Sequence, residues 1–388
     1  MTFLLFITIM FWAFALWDGW RGLRSIQDLR NIKRQSSKQF VSVIVAAKDE
    51  ECAIDKTLQS LASQTHEFLE IIAVNDRSED NTGSIMKKWE NKLPLQVKTI
   101  TIETLPEGWL GKNHALYKGY QEAEGDVIVF TDGDIQFSES AIERALSFLE
   151  QEKADHLTVA PNLVTKSKGL KAFISYFMFG FGFFKRPWTA NNDHSQKGGM
   201  GIGAFNMLKR PTYEAIGTHE LIAKRPDDDL FLGQKVKSLG YKQRLATGME
   251  DISVEWYSSL QEAIKGLEKN TFAGLNYSFL LSIVAVIGTF TSQVFPFITL
   301  LFSTYTNRAL SLIAITLMCT LMAITTKKLT QFKTIYALTL PYSALLFIYT
   351  IGRAVSLTIK RGGIEWRGTF YSLKELKDAH KEQLKSKH

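Results

Sequence analysis

A chain of 388 residues suits one large domain or two of ordinary size; its 45% apolar content includes 26 Phe, yet the mean hydropathy is −0.04, so apolar residues are concentrated in part of the sequence. Two cysteines far apart, Cys52 and Cys319, give neither a disulfide framework nor a zinc site, and nothing asks for an oxidising compartment. A net charge of +7 leaves nucleic acid, an anionic membrane surface or an anionic substrate open, and the placement of the apolar residues decides among them.

The first run, "TFLLFITIMFWAFALW" at 2–17, carries no charge and is followed at once by "DGWRGLRSIQDLRNIKR". It is slightly short for a full span of about 20 residues, but Trp17 and Trp20 suit the membrane interface. A cleaved signal peptide is the competing reading. Against it, no basic region precedes the run and no small-residue cleavage site follows. An uncleaved anchor over 1–20 is therefore expected, and the Arg and Lys after it place residue 18 onward in the cytoplasm.

Residues 39–270 read as a cytosolic α/β domain. "QFVSVIVAAKDEE", "LEIIAVNDRSEDNT", "LQVKTITIE" and "GDVIVFTDGDIQF" are strand-like runs. "AIDKTLQSLASQ", "TGSIMKKWENK" and "KNHALYKGYQEA" alternate with them at helical spacing. That alternation predicts a mostly parallel sheet with crossover helices, in which ligands collect beyond the carboxyl ends of the strands. Polar clusters fall at three such ends: Asp49 to Glu51, Asp76 to Asp80, and Asp132 with Asp134.

The segment 169–188, "GLKAFISYFMFGFGFFKRPW", is apolar but interrupted by Gly. A span here would divide the α/β domain, so an interfacial element is expected. Apolar runs cover about 278–302, 309–325 and 335–357, predicting transmembrane helices over 275–358 and a basic tail over 359–388. Three spans would leave that tail outside, against the charge rule. Either one run is re-entrant, or the first is a hairpin broken at Pro296.

Several constellations carry chemistry. Asp132 and Asp134 can simply end a strand and cap a helix. As alternate residues of an extended segment they can also share one Mg²⁺ or Mn²⁺, which takes one or two carboxylates plus substrate phosphates. Asp227, Asp228 and Asp229 open a helix, where the dipole favours acids and one serves as a cap. Crowded carboxylates also gain proton affinity, which suits a general base. Gly201 and Gly203 in "GGMGIGAFNMLKR" allow backbone close to a ligand, or make a tight turn. Lys112 stands before a helix and reads locally as solvated. Asp76 can cap a helix or meet a base or ribose. His114 and His194 have no metal-ligand spacing and read as structural or surface residues.

In this order the motifs resemble family-2 glycosyltransferases of the GT-A nucleotide-sugar fold. They are "VSVIVAAKDEE", "IIAVNDRSEDNT", "GWLGKNHAL", "VIVFTDGDIQF", "GIGAFNMLKRPTYEAIGTHE" and "PDDDLFLGQKVKSLGYK", with a weaker continuation into "VEWYSSLQEAIKGLEKNTFAGLN" and "IEWRGTFY". The likeness is to the membrane-anchored branch that glycosylates lipids, carotenoid and hopanoid-associated enzymes included. It implies Asp76 at the uracil or ribose, with Ala47 and Glu50 nearby. It implies Asp132 and Asp134 at a metal-diphosphate site, Lys112 near the phosphates, and Gly201 and Gly203 on the sugar and acceptor side. The acidic pair falls on Asp228 and Asp229, with Asp229 as base. A nucleotide-diphosphate sugar donor, a lipid acceptor, Mg²⁺ or Mn²⁺ and no nucleic-acid partner follow from the same resemblance. The Q-x-x-R-W motif of processive synthases is absent, with "VEWYSS" in its place, which implies transfer of a single sugar. Lys48-Asp49 stands where the family more often has Asn before the acids.

Overall fold

A computed structural model describes residues 1–93, 96–366 and 369–373, apart from the side chains of 268–270, 273 and 364–371. The basic tail from 374 onward and the side chains of "IEWRGTFY" therefore lie outside the described residues.

The buried apolar runs become one sheet. Its strands are β1 (Gln27–Asp28), β2 (Val41–Ala47), β3 (Leu69–Asp76), β4 (Val97–Ile102), β5 (Val127–Asp132), β6 (Gln136–Phe137), β7 (His156–Leu163), β8 (Asn206–Lys209) and β9 (Gln243–Val254). Their order is β1-β9-β7-β8-β5-β2-β3-β4, with β6 on β9. The pairs β5/β2, β2/β3, β3/β4, β7/β9 and β1/β9 are parallel. β8 runs against both of its neighbours and β6 against β9. The mostly parallel sheet predicted from the alternation is thus present, and β8 is the strand that the glycine-rich reading of 198–210 left out.

Strand alternation sets the layers. Val43, Val45, Ile71 and Ala73 face one buried cluster, which also takes Ile54 and Leu58 of helix α2 and Ile142 and Leu149 of α5. Ile44, Ile72, Val74 and Phe130 face the other, with Leu116 of α4 and Leu232 and Val236 of α8. Helices α1 (Thr2–Ser25), α2 (Ile54–Ala62), α3 (Thr82–Lys92), α4 (Gly111–Gln121), α5 (Ala141–Gln151), α6 (Lys168–Lys185), α7 (Arg210–Ala215) and α8 (Asp228–Ser238) complete this α/β body and its first apolar helix. Register then puts Asp132 opposite Ala46, and Asn75 opposite Ala47. The polar strand ends therefore open on one edge.

Beyond the sheet follow α9 (Leu260–Gly274), α10 (Phe279–Thr289), α11 (Phe295–Phe302), α12 (Tyr305–Leu329) and α13 (Leu340–Arg361). Four described stretches are long and apolar enough to cross a membrane: Thr2–Ser25, Phe279–Phe302, Tyr305–Leu329 and Thr334–Arg361. The first continues past the anchor expected over 1–20, where Trp188 packs over Gly19 and Gly22 and supports more than one further turn. A hairpin broken at Pro296 is not formed. A π-helical turn at Phe290–Val294 joins α10 to α11 ahead of Pro296, and the Ser292 carbonyl, four residues before it, accepts from Trp12 Nε1 at 3.2 Å.

α6 packs by Leu170 and Phe173 into the sheet-side core, and by Tyr176 and Phe179 against Trp12 and Met318 of the apolar helices. Its Ser167 hydroxyl accepts from the Leu170 N–H, the cap that fixes its start.

Candidate functional site

The site assembles at the carboxyl ends of β2, β3 and β5. The two loops after β2 and β3 are tied by reciprocal bonds. The Glu79 N–H donates to Asp49 Oδ1 at 2.8 Å, the Glu50 N–H to Thr82 Oγ1 at 2.8 Å, and the Glu51 N–H to Asp80 Oδ2 at 3.0 Å. Asp49 and Arg77 each take a left-handed φ of 55°, unusual for residues with a side chain and sustained here by those bonds. Asp76 is buried, and the guanidinium of Arg77 donates to both its oxygens, at 2.7 and 3.1 Å. Gly111 passes so close that a Cβ there would overlap Asp76 Oδ2. Ala47 ends β2 beside Gly133, and Glu50 lies against the same glycine, between Asp132 and Asp134.

The second half of the site is a carboxylate cluster around one ammonium. Lys112 Nζ lies 2.6 Å from Asp132 Oδ1 and 3.8 Å from Asp228 Oδ2. Asp229 Oδ2 accepts from the Gly203 N–H and Oδ1 from the Leu230 N–H, both at 2.7 Å. A Cβ on Gly203 would stand 2.9 Å from Asp132 Oδ2 and 3.0 Å from Lys112 Nζ; on Gly201 it would overlap the Asp229 carbonyl. Both glycines are thus required for close approach rather than for a turn. Lys112, solvated by its local sequence, is instead a central residue here. Asp227 at the N-cap of α8 makes no side-chain cap bond and is held by Arg225 at 2.9 and 3.1 Å; Asp229 is the acid that takes a first-turn N–H, that of Leu230.

Burial pushes the Asp228 carboxyl up to about 7; Lys112 works against that rise, and Asp229 and Asp132 add to it. Asp229 is shifted upward too, again by burial, with Lys112 and its two backbone donors opposing. Burial would lower the proton affinity of Lys112, but Asp132, Asp228 and Asp229 overcome it and hold the ammonium charged. Asp228 can therefore exchange a proton with a ligand near neutral pH, and Asp229 beside it is shifted in the same direction.

Residues that sequence reasoning did not single out position this cluster. Asn113, buried, donates to the carbonyls of Ile222 at 2.6 Å and Arg225 at 2.9 Å, locking α4 to the loop before α8. The Thr131 hydroxyl donates to the Ala204 carbonyl at 2.8 Å, joining β5 to the glycine-rich loop. His219 lines a small cavity with Lys112, Thr131, Asp228 and Asp229. Burial, with Lys112 adding, lowers it to about 3, so it stays neutral, and its Nδ1 meets Tyr213 Oη at 2.5 Å. A polar residue inside an apolar stretch was the available signal in each case, and none has a fixed spacing to the aspartates. His114 is buried with its ring 5.4 Å from Trp109, and His194 is exposed, as structural and surface readings require.

Among the described residues no group of three or more His, Cys, Asp or Glu converges as a metal cage. The donor set at the end of β5 is two hard carboxylates, Asp132 and Asp134. That fits Mg²⁺ or Mn²⁺ completed by a diphosphate, and not an all-protein site.

Residues 42–214 match the model of glycosyl transferase family 2. The probable glycosyltransferase YdaM of Bacillus subtilis (strain 168) is 30% identical over 251 residues, 62% of this chain and 57% of that protein. The 4,4'-diaponeurosporenoate glycosyltransferase of Staphylococcus haemolyticus is 30% identical over 125 residues, 32% of each chain. The match therefore spans less than two thirds of either relative's length. Among solved structures, a mannosyltransferase from Pyrobaculum calidifontis in complex with GDP-Man and Mn²⁺ aligns over 92% of this chain and 98% of that one, at 16% identity and a TM-score of 0.49.

Proposed function

We propose, from the match of residues 42–214 to the glycosyl transferase family 2 model, that the chain moves a single sugar from a nucleotide-diphosphate sugar to a membrane lipid, with inversion at the anomeric carbon. The observation that carries the reading is the convergence of Asp132, Lys112, Asp228 and Asp229 around Gly203 at the strand ends. Asp76 and Arg77, with Ala47 and Glu50 beside them, receive the nucleoside, and Lys112 receives the phosphates next to them.

The acceptor oxygen attacks the anomeric carbon as the bond from that carbon to the phosphate oxygen breaks, and the bonding pair leaves with the diphosphate. A hydroxyl acceptor passes its proton to Asp229, whose carboxylate the Gly203 and Leu230 N–H groups hold in place. Lys112 offers positive charge to the leaving group. A divalent cation held by Asp132 and Asp134 would add neutralisation of the diphosphate.

The membrane assignment rests on the apolar helices and on their outward faces. Phe3, Phe6, Met10 and Phe14 of α1 are each more than half exposed, a face that water does not favour. The basic residues Arg21, Arg24, Arg30, Lys33 and Arg34 support a cytosolic catalytic domain on a multi-pass chain. α6, between sheet and apolar helices, acts as the interfacial element that brings the acceptor to Asp229.

A carotenoid acid is the first acceptor in this reading, supported by the diaponeurosporenoate relative. A hydroxyl lipid (diacylglycerol or a hopanoid) or a polyprenyl phosphate is the second. The raised proton affinity of Asp228 and Asp229 favours a hydroxyl, because an ionised carboxylate needs no base. Mass spectrometry of lipid extracts from cells with and without the gene tests both. A hexosyl-lipid present only with the gene supports the proposal and names the acceptor; identical lipid profiles in active membranes oppose it.

A further inference from the structure

Length and composition do not distinguish Thr334–Arg361 from the other three apolar stretches, but its neighbours do. At about 1.5 Å rise per residue, a crossing helix of this length spans about 40 Å and carries its far end to the other side of a bilayer core about 30 Å thick. The outer ends of three stretches show that behaviour. Thr2 Oγ1 donates to Asn307 Oδ1 at 2.9 Å, and Ser303 Oγ lies 3.6 Å from Met1 Sδ. Their other ends meet the catalytic domain. Asn191 Nδ2 donates to the Ser25 carbonyl at 3.0 Å, and Gln331 Nε2, just beyond α12, donates to the Met249 carbonyl of β9 at 2.6 Å. Tyr277, just before α10, packs on Phe272 of α9.

α13 behaves otherwise. It is entered from Phe332, whose ring lies under Lys171 of α6. Its middle residues Leu346 and Phe347 pack on the sheet-side core that includes Ala263 and Leu267 of α9, and Phe347 lies 5.7 Å from the Tyr176 ring. Near its end Ala354 packs with Phe272 and Tyr277. Its first inward residues, Ala337, Leu340 and Ala344, pack with Trp12, Val294 and Met318 of the three other stretches, whereas its entry, middle and end touch α6, the sheet-side core and α9, whose Glu262 and Lys265 face solvent.

The opposite face is apolar and uncovered. Ile335, Leu338, Tyr342, Leu345 and Tyr349 recur every three or four residues and are between 49% and 67% exposed. Leu340, Ala344, Ile351 and Ala354 on the inward side are buried. A two-faced helix with aromatic and aliphatic residues outward is what an interfacial helix presents to lipid.

We infer that Thr334–Arg361 does not cross the membrane. It is a lipid-docking floor beneath the catalytic domain, with its outward stripe in the acyl region and both its ends on the catalytic side. The chain then has three crossings: α1, α10 with α11, and α12. The end of the helix at Arg361 then lies on the same side as the sheet, with Lys360 and Arg361 where the charge rule expects basic residues. This inference goes beyond the proposed reaction and stands or falls without it.

The test uses the full chain in membranes. Native Cys52 is exposed on the catalytic domain and serves as one reporter. Ser303→Cys and His388→Cys, each introduced into a Cys52→Ser, Cys319→Ala background, report the other positions. An impermeant maleimide should label Cys52 and His388→Cys from one face of the vesicle and Ser303→Cys from the opposite face. Labelling of His388→Cys from the Ser303→Cys face overturns the inference. Fluorophores on Tyr342→Cys and Tyr349→Cys should be quenched by brominated phospholipid and spared by aqueous iodide. Quenching by iodide, or by neither because another copy covers the stripe, overturns the lipid assignment.

Discussion

The two halves of the site solve the same electrostatic problem differently. On the nucleotide side, the acids of both loops are answered locally: Asp76 by Arg77, Asp49 and Asp80 by backbone N–H groups. On the diphosphate side, Asp132, Asp228 and Asp229 crowd around the single ammonium of Lys112. The first half is a finished scaffold, rigid before any ligand arrives. The second carries more negative charge than its partner answers, so it holds Asp228 and Asp229 at raised proton affinity and is poised to take a proton or a cation. Structure is stored in the saturated half and chemistry in the unsaturated one.

The largest effect should follow from Asp134→Ala. It should abolish metal-dependent transfer while the thermal midpoint stays near that of the parent; transfer at a normal rate would return Asp132 and Asp134 to the role of a strand end. Next, Gly201→Ala should push α8 off the glycine-rich loop. It should lower stability by about 1–3 kcal/mol in thermal melts and remove most activity. Gly180→Ala in α6, where a Cβ meets nothing within 4 Å, is the matched control and should be neutral or mildly stabilising. Equal effects at the two positions would contradict the close packing described.

Lys112→Met removes the one charge that answers the cluster among the described residues. Stability at neutral pH should fall by roughly 1–3 kcal/mol, less than for a fully enclosed pair because both partners keep some solvent contact. The pH at which transfer reaches half its maximum should rise, read from a pH–rate profile. The smallest effect is the pH dependence of stability itself. Asp228, raised to about 7, contributes stability that is complete below the ordinary carboxylate range near 4 and lost as pH rises through about 7. His219, lowered to about 3, contributes stability that is complete above about 6.5 and lost as pH falls toward 3. Between about 4 and 6.5 the two slopes cancel. Asp228→Asn should therefore gain on the parent in thermal melts above pH 7; a constant difference across the range would contradict the assignment.

Much of this was legible in the sequence because local patterns determine it. The runs at 41–47, 69–76 and 127–132 are buried on both faces and read as parallel strands, and their polar ends marked Asp76, Asp132 and Asp134 directly. The pairing of Lys112 with Asp132 was not legible. It depends on Asn113 clamping α4 to the carbonyls of Ile222 and Arg225, about 110 residues away in sequence. β8 hid behind glycines that read as a turn, and His219 had no spacing to announce it. Which of the last apolar runs crosses stayed open in the sequence because hydropathy measures composition, whereas a helix's place depends on which side each end is tied to.

The most direct test of the central claim is Asp229→Asn, with nucleotide-sugar binding and sugar transfer measured on the same membranes. For a hydroxyl acceptor, binding should persist while turnover falls by about 10²–10⁴, the usual contribution of a general base. Unchanged turnover on that acceptor would contradict the role assigned to Asp229 and, with it, the chemistry read from this cluster.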